Sequence, residues 1–175
     1  MIRCSVIVVI YTLTVQIVAD PSCLNPPPNN FITSCCVRNG HLRDIVAKCN
    51  EMIPAQTAAR SFCHAECVFN ETGLSANNVI QHDKMVEVTK DLFKDTTEFM
   101  PVIDAAMKKC KGVAEAKLVK INEIKLDGAD KCHPLPALIM SCFLAELFIN
   151  CPASLWQNTE ECTQAKTFMT VCIMN

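Results

Sequence analysis

Glycine and aromatic residues are scarce in this chain, with 4 glycines, one tryptophan, one tyrosine and 8 phenylalanines among 175 residues. So few glycines leave no glycine-rich loop to cradle a phosphate or a calcium ion. Neither sign of charge accumulates: 16 Lys and Arg stand against 18 Asp and Glu, for a formal net charge of −2. No Lys/Arg block stands out, which excludes a phosphate-tracking face and therefore nucleic acid as a partner. Neither a Gly-x-Ser-x-Gly elbow nor a His-Glu-x-x-His motif occurs. Beyond the first 20 residues there is no internal repeat and no Pro/Gly/Ser linker. What the chain has in quantity is apolar residues, 50% of the total, and cysteine, 13 in all. The first rules out a disordered tail, a coiled coil or a collagen-like fibre. The second means either a metal array or an oxidised, secreted scaffold.

The N-terminus decides between those two. Arg3 is followed by an apolar run through Val6–Ile10, Tyr11, Leu13 and Val15, which stops at Val18-Ala19 before Asp20-Pro21. This pattern predicts a secretory signal peptide over residues 1–19 and a single domain over 20–175. Thr12, Thr14 and Gln16 break the run, leaving it too short for the ~20 apolar residues of a membrane span. Removing the leader takes Cys4 and Arg3 with it, leaving 156 residues, twelve cysteines and a net charge of −3. An even twelve in an oxidising compartment predicts six disulfides. Zinc knuckles need matched Cys-x2-Cys pairs, and the regularly spaced close pair here is Cys63-x3-Cys67, so neither a metal nor a cofactor is expected.

Periodicity predicts an all-α chain. An arm of Pro and Asn residues, stapled by Cys23, precedes a short helix over Leu42–Cys49, with Leu42, Ile45, Val46 and Cys49 on one stripe. Pro54 can open a helix through Phe62, Cys63, Cys67 and Phe69 that stops at Gly73. Met85, Val88 and Leu92 mark the next, beginning near Asn77 or Asn78. Thr96 or Thr97 caps a fourth, carrying Phe99, Val102, Ile103, Met107 and Cys110 and ending at Gly112. Val113–Lys125 reads as a solvated helix or an ordered loop, closed by Asp127-Gly128. Pro134 and Pro136 precede the most apolar stretch, Ala137–Ile149, interrupted by Ser141 and Glu146, which should be the centre of the fold. Asn158 with Glu161 makes a capping box for a last helix through Cys162, Phe168 and Cys172, placing Trp156 and Phe168 over apolar surface.

From Cys63 onward the cysteines read Cys-x3-Cys-x42-Cys-x21-Cys-x9-Cys-x8-Cys-Pro-x9-Cys, through Cys110, Cys132, Cys142, Cys151-Pro152 and Cys162. This frame resembles the insect odorant-binding proteins, and the interposed Cys132 with the Cys151-Pro152 pair resembles their Plus-C subgroup. The likeness covers the chain from about Cys35 to its end. It implies a compact bundle of about 6–8 short helices around an apolar cavity, with three interlocked disulfides joining the first and third, second and fifth, and fourth and sixth of six basic cysteines. Carried over, these are Cys49–Cys67, Cys63–Cys142 and Cys110–Cys151. Two alternatives stay open: Cys36 as the first cysteine, with 26 residues between it and Cys63 where Cys49 leaves 13, and Cys132 in place of Cys142. Spacing does not pair Cys23, Cys35, Cys132, Cys162 or Cys172.

Residues on the inward stripes are candidates for the cavity wall: Phe69, Leu74, Met85, Val88, Leu92, Phe99, Ile103, Met107, Leu138, Phe143, Leu147 and Phe148. Phe and Met supply large, adaptable contact surface. The resemblance implies a secreted, non-enzymatic carrier, monomer or homodimer, that holds a small hydrophobic ligand and delivers it towards a chemosensory receptor. A carrier of lipids, hormones or amines outside olfaction and a disulfide-rich effector without ligand are the rival readings. Catalysis finds no support. Cys35-Cys36 followed by His41 invites comparison with secreted phospholipase A2, but Leu42 stands where the aspartate should follow and Asp44 comes three residues late. Asn70-Glu71-Thr72 is a glycosylation sequon. His64 and His133, each beside a cysteine, are candidates for pH-dependent release. The first test is of the oxidised scaffold: intact-mass measurement after alkylation, with and without prior reduction, should find no free thiol among the twelve cysteines of the secreted chain. Two or more reactive thiols would break the six-bridge reading.

Overall fold

In the computed structural model the described residues are 23, 26–28, 30–36, 40–53, 60–76, 79–124 and 132–173. The expected leader over residues 1–19, the helix opening at Pro54, the Asn77-Asn78 start and the Asp127-Gly128 turn lie outside them. Seven α-helices carry the fold: α1 (Phe31–Cys35), α2 (Gly40–Met52), α3 (Arg60–Glu71), α4 (Met85–Leu92), α5 (Met100–Ile124), α6 (Pro134–Ile149) and α7 (Glu160–Phe168). Between α3 and α4 two residues each of β1 (Ser75–Ala76) and β2 (Val79–Ile80) pair antiparallel. The chain is thus an all-α, disulfide-cross-linked bundle. Among the described residues no helix is long and apolar enough to cross a membrane.

Helix α6 is the axis of the packing. Pro134 and Pro136 fall inside its first turn, where their missing N–H groups have no intrahelical partner to lose. His133 caps it, its Nδ1 accepting from the Leu135 amide at 3.2 Å. Ile139, Ala145, Leu147 and Phe148 are buried to 1% exposure or less. One side packs on α5 through Cys142 and Glu146. The Glu146 carboxylate accepts from Lys109 Nζ at 2.6 Å and from Asn150 Nδ2 at 3.3 Å, so the acid in this helix is paired, as burial requires. At its far end the Phe148 ring meets Phe31 edge-on at 4.9 Å and Trp156 at 5.5 Å.

Several sequence expectations are corrected. The helix drawn from Asn77 or Asn78 starts at Met85, because Val79 and Ile80, β-branched, pair with Ser75 and Ala76, and a helical turn at His82–Lys84 intervenes. The stop at Gly112 does not occur. α5 runs for 25 residues through it to Ile124, since a Cβ at Gly112 would meet nothing within 4 Å and flanking Cys110 and Ala114 anchor the helix in the core. The cost of one helical glycine, about 1 kcal/mol, is too small to end so long a packed helix. Neither Thr96 nor its neighbour caps that helix by a side-chain bond; a short turn at Thr97–Phe99 leads into it. For α7 the cap is Thr159, whose hydroxyl accepts from the Cys162 amide at 3.2 Å, one residue later than the Asn158–Glu161 box. Gly73 does terminate the segment after α3, in the left-handed region at φ 75°.

The six disulfides form two sets. Cys49–Cys67, Cys63–Cys132 and Cys110–Cys142 join α2 to α3, α3 to the segment two residues before α6, and α5 to α6, with Cα–Cα distances of 5.9, 5.0 and 5.5 Å. Cys23–Cys172, Cys35–Cys162 and Cys36–Cys151 are nested and tie the N-terminal arm to the C-terminal tail. Two pairings implied by the resemblance are therefore corrected: Cys63 takes Cys132, not Cys142, and Cys110 takes Cys142, not Cys151. Cys142 faces α5 from the middle of α6. Cys151 lies beyond the end of that helix, roughly 12 Å further along at ~1.5 Å per residue, out of reach of Cys110. The first-third, second-fifth, fourth-sixth order survives, with Cys132 as the fifth cysteine and Cys142 as the sixth.

Non-reducing peptide mapping should accordingly yield one fragment carrying Cys35 and Cys36 bonded to two others, and separate Cys63–Cys132 and Cys110–Cys142 pairs. A Cys63–Cys142 or Cys110–Cys151 fragment would refute this connectivity. Replacing Cys36 and Cys151 together by Ala should lower unfolding stability by about 2–4 kcal/mol.

Candidate functional site

Five helices leave a partly enclosed apolar space between them. From α2, Leu42 and Val46 point in, four residues apart. From α3 come His64, Val68 and Phe69, with Thr72 and Leu74 just past its end. Thr89 and Leu92 of α4 join Phe93 on the next wall, Met107 enters from α5, and Ile139, Met140, Phe143 and Leu144 close it from α6. These positions recur at three and four residues because one face of each helix turns inward. The cavity measures about 200 Å3. An engineered apolar cavity of about 150 Å3 stays dry and takes up benzene, whereas pockets for drug-sized ligands run to roughly 300–1,000 Å3. The space therefore suits a molecule of one or two small rings or a short chain.

Left empty, such a space is expensive. At roughly 24 cal/mol per Å3, it costs on the order of 5 kcal/mol relative to a filled core. The bridges Cys49–Cys67, Cys63–Cys132 and Cys110–Cys142 tie α2 to α3, α3 to the segment before α6, and α5 to α6, which restrains four of the five helices around the cavity. Surface pairs add support at the rim. Lys48 of α2 reaches Glu71 of α3 at 2.5 Å, and Lys90 of α4 reaches Asp104 of α5 at 2.9 Å. Arg60 donates to the Ile53 carbonyl and to Asn50 Oδ1, closing the corner between α2 and α3.

The twelve residues expected from the sequence divide three ways. Phe69, Leu74, Leu92, Met107 and Phe143 line the cavity. Met85, Phe99, Ile103, Leu147 and Phe148 are buried, but in the solid core around it; Phe99, for instance, packs edge-on against Phe93 at 5.5 Å. Val88 is half-buried against that core. Leu138 faces the other way, into an open groove bounded by Pro26, Pro27, Phe31, Ile32, Phe62 and Phe168. Met140 and Leu144 border both spaces and form the partition between cavity and groove. The sequence reading passed over Leu42 and Val46, although their stripe was visible, and Thr89, whose spacing from Met85 and Leu92 places it on the same face of α4.

Of the two histidines beside cysteines, His64 stands in the cavity wall with Nε2 3.4 Å from the Val46 carbonyl, while His133 is exposed at the start of α6. Asn70 is exposed in the last turn of α3, and the Thr72 hydroxyl of its sequon turns onto the Val68 carbonyl at 2.8 Å. Among the described residues no group of three or more His, Cys, Asp or Glu is placed to hold a metal ion.

The sequence is similar to known proteins over most of this helical frame. Odorant-binding protein 47 of Anopheles gambiae is 29% identical over 123 residues, which cover 65% of this chain and 52% of that protein. General odorant-binding protein 68 of Anopheles gambiae is 24% identical over 108 residues, covering 61% of this chain and 51% of that protein. The chain spans about half the length of these relatives. A family model described as AgamOBP47-like matches residues 32–168, from α1 to the end of α7 and including every wall of the cavity. The chain belongs to the AgamOBP47-like family of odorant-binding proteins.

Proposed function

We propose that this protein is a secreted, non-enzymatic carrier of the Plus-C type, whose residues 1–19 are a leader and whose single domain, residues 20–175, takes up one small hydrophobic molecule between α2, α3, α4, α5 and α6. The observation that carries this reading is the apolar cavity of about 200 Å3 between five helices, four of which are joined by three disulfides. The family supports it, since its named members are odorant-binding proteins. Burial of apolar ligand surface at ~25 cal/mol per Å2 supplies the affinity. Refilling an empty cavity adds to it, because the walls regain the dispersion contacts they lack. In an aqueous secretion the carrier would keep a poorly soluble odorant or other lipophilic signal dispersed and bring it towards a chemosensory receptor, as a monomer or a homodimer.

The expected ligand is compact. Partition residues Met140 and Leu144 separate the cavity from the groove on the Leu138 side, so a long chain has no room unless they move. A small fluorescent aromatic such as 1-naphthol should bind one per chain with a micromolar Kd, about −8 kcal/mol. Short alcohols, aldehydes and single-ring aromatics should displace it. Val68→Phe, which fills the cavity from its α3 wall, should leave the helical spectrum intact and weaken 1-naphthol at least tenfold. Well-folded protein that bound no probe would favour the effector reading instead, and equal binding to Val68→Phe would place the ligand elsewhere.

A further inference from the structure

One motif of the sequence has a defined place in the fold and no part in the cavity. Asn70-Glu71-Thr72 is the one Asn-x-Ser/Thr triplet of the chain. Asn70 follows Phe69 in the last turn of α3, and the two side chains point opposite ways. Phe69 is 3% exposed and lines the cavity, whereas Asn70 is exposed. The Asn70 backbone carbonyl accepts from the Gly73 amide at 3.1 Å, and among the described residues nothing bonds its side-chain amide. Beside it Lys48 and Glu71 pair across the corner between α2 and α3, so the surface around Asn70 is charged and wetted.

The folded molecule is not the form in which such a triplet is modified. In it Asn70 is helical, and the Thr72 hydroxyl is held by the Val68 carbonyl at 2.8 Å and the Phe69 carbonyl at 3.2 Å. The order in which the chain appears leaves an earlier opening. α3 has 12 residues, a length at which an isolated helix is marginal in water. It docks on α6 by direct packing and through Cys63–Cys132, and both α6 and Cys132 follow Asn70 by more than sixty residues. A chain entering an oxidising compartment from its N-terminus therefore presents Asn70-Glu71-Thr72 there before the elements that lock α3 have arrived.

We propose that Asn70 carries an N-linked oligosaccharide, attached before α3 docks on α6. This rests on the secreted reading proposed above, because the donor, a polyprenyl-pyrophosphate-linked oligosaccharide, belongs to the secretory compartment. Asn70 Nδ2 forms the bond to the anomeric carbon as the bond from that carbon to the pyrophosphate oxygen breaks. The pyrophosphate leaves with the electron pair, and the amide gives up one proton. Folding then carries the glycan on the outer side of the last turn of α3, where it displaces no buried group. A bulky, solubilising group at this position keeps the corner between α2 and α3 in solvent, so a tight contact between two copies must use another face.

Expression of the full chain in insect cells, with residues 1–19 in place, tests this by intact mass of the protein in medium and cells. Most secreted chains should exceed the mass of the oxidised polypeptide by one N-glycan. Peptide N-glycosidase should remove the excess and leave aspartate at position 70, and both Asn70→Gln and Thr72→Ala should appear at the bare mass. Replacing Cys63 and Cys132 together by Ser, which unties α3 from the segment before α6, should leave occupancy as high as in the parent or higher; lower occupancy would put the transfer after docking and overturn the proposed order. Secreted protein that is mostly at the bare mass would overturn the glycan and leave the carrier reading standing. A chain that stays in the cells with residues 1–19 attached and no glycan would overturn the secreted reading and the glycan with it.

Discussion

A helix without a polar face has to be enclosed on all sides, and α6 imposes that constraint on this fold. Its buried residues, from Pro134 and Pro136 through Ile139 and Phe143 to Phe148, point in every direction round the axis. One helix can cover only part of such a cylinder. The α5 side is filled by direct packing, a disulfide and the Lys109–Glu146 pair. α3 also packs directly on α6, and α4 covers it at a distance, with the cavity between. The remaining side is covered by the proline-rich arm and the tail, which leave the open groove beside Leu138. The cavity and the groove thus both lie against α6.

The two sets of disulfides answer different parts of that constraint. Cys49–Cys67, Cys63–Cys132 and Cys110–Cys142 fix the spacing of α2, α3, α5 and α6, the helices around the cavity. The nested bridges from Cys23, Cys35 and Cys36 hold the two chain ends together. Arm and tail are short and have little core of their own: α1 has five residues and α7 nine. What apolar cover they offer, Phe31 and Trp156 on Phe148, would be weak without covalent closure. The Lys166 ammonium 5.1 Å over the Trp156 ring adds to this cover from the solvent side.

A chain of this size buries enough surface to fold without six bridges. The surplus makes sense if part of the interior is left unfilled, because the strain of holding a void is borne by bonds that restrict the unfolded chain as well.

The sequence by itself determined the class, most of the helices and the centre: apolar periodicity marked α2 and α3, a nearly unbroken apolar run marked α6, and cysteine spacing carried the family likeness. Periodicity failed where tertiary packing overrode a local signal, as at Gly112, which looked like a stop and lies on a helix anchored by Cys110 and Ala114. Only the tertiary structure decided which cysteines meet. Spacing along the chain counts residues, whereas a disulfide needs two Cα atoms about 4.4–6.8 Å apart, and the frame's shift by one cysteine from Cys151 to Cys142 depended on where α6 begins and ends. The cavity wall was legible in part for the same reason. A helix apolar on every side carries no periodic mark to tell Phe143, on the cavity, from Leu138, on the groove, or Phe148, in solid core. Thr89 stayed hidden because a reading of apolar stripes passes over a hydroxyl, and only the arrangement of α4 against the other helices places it in the wall.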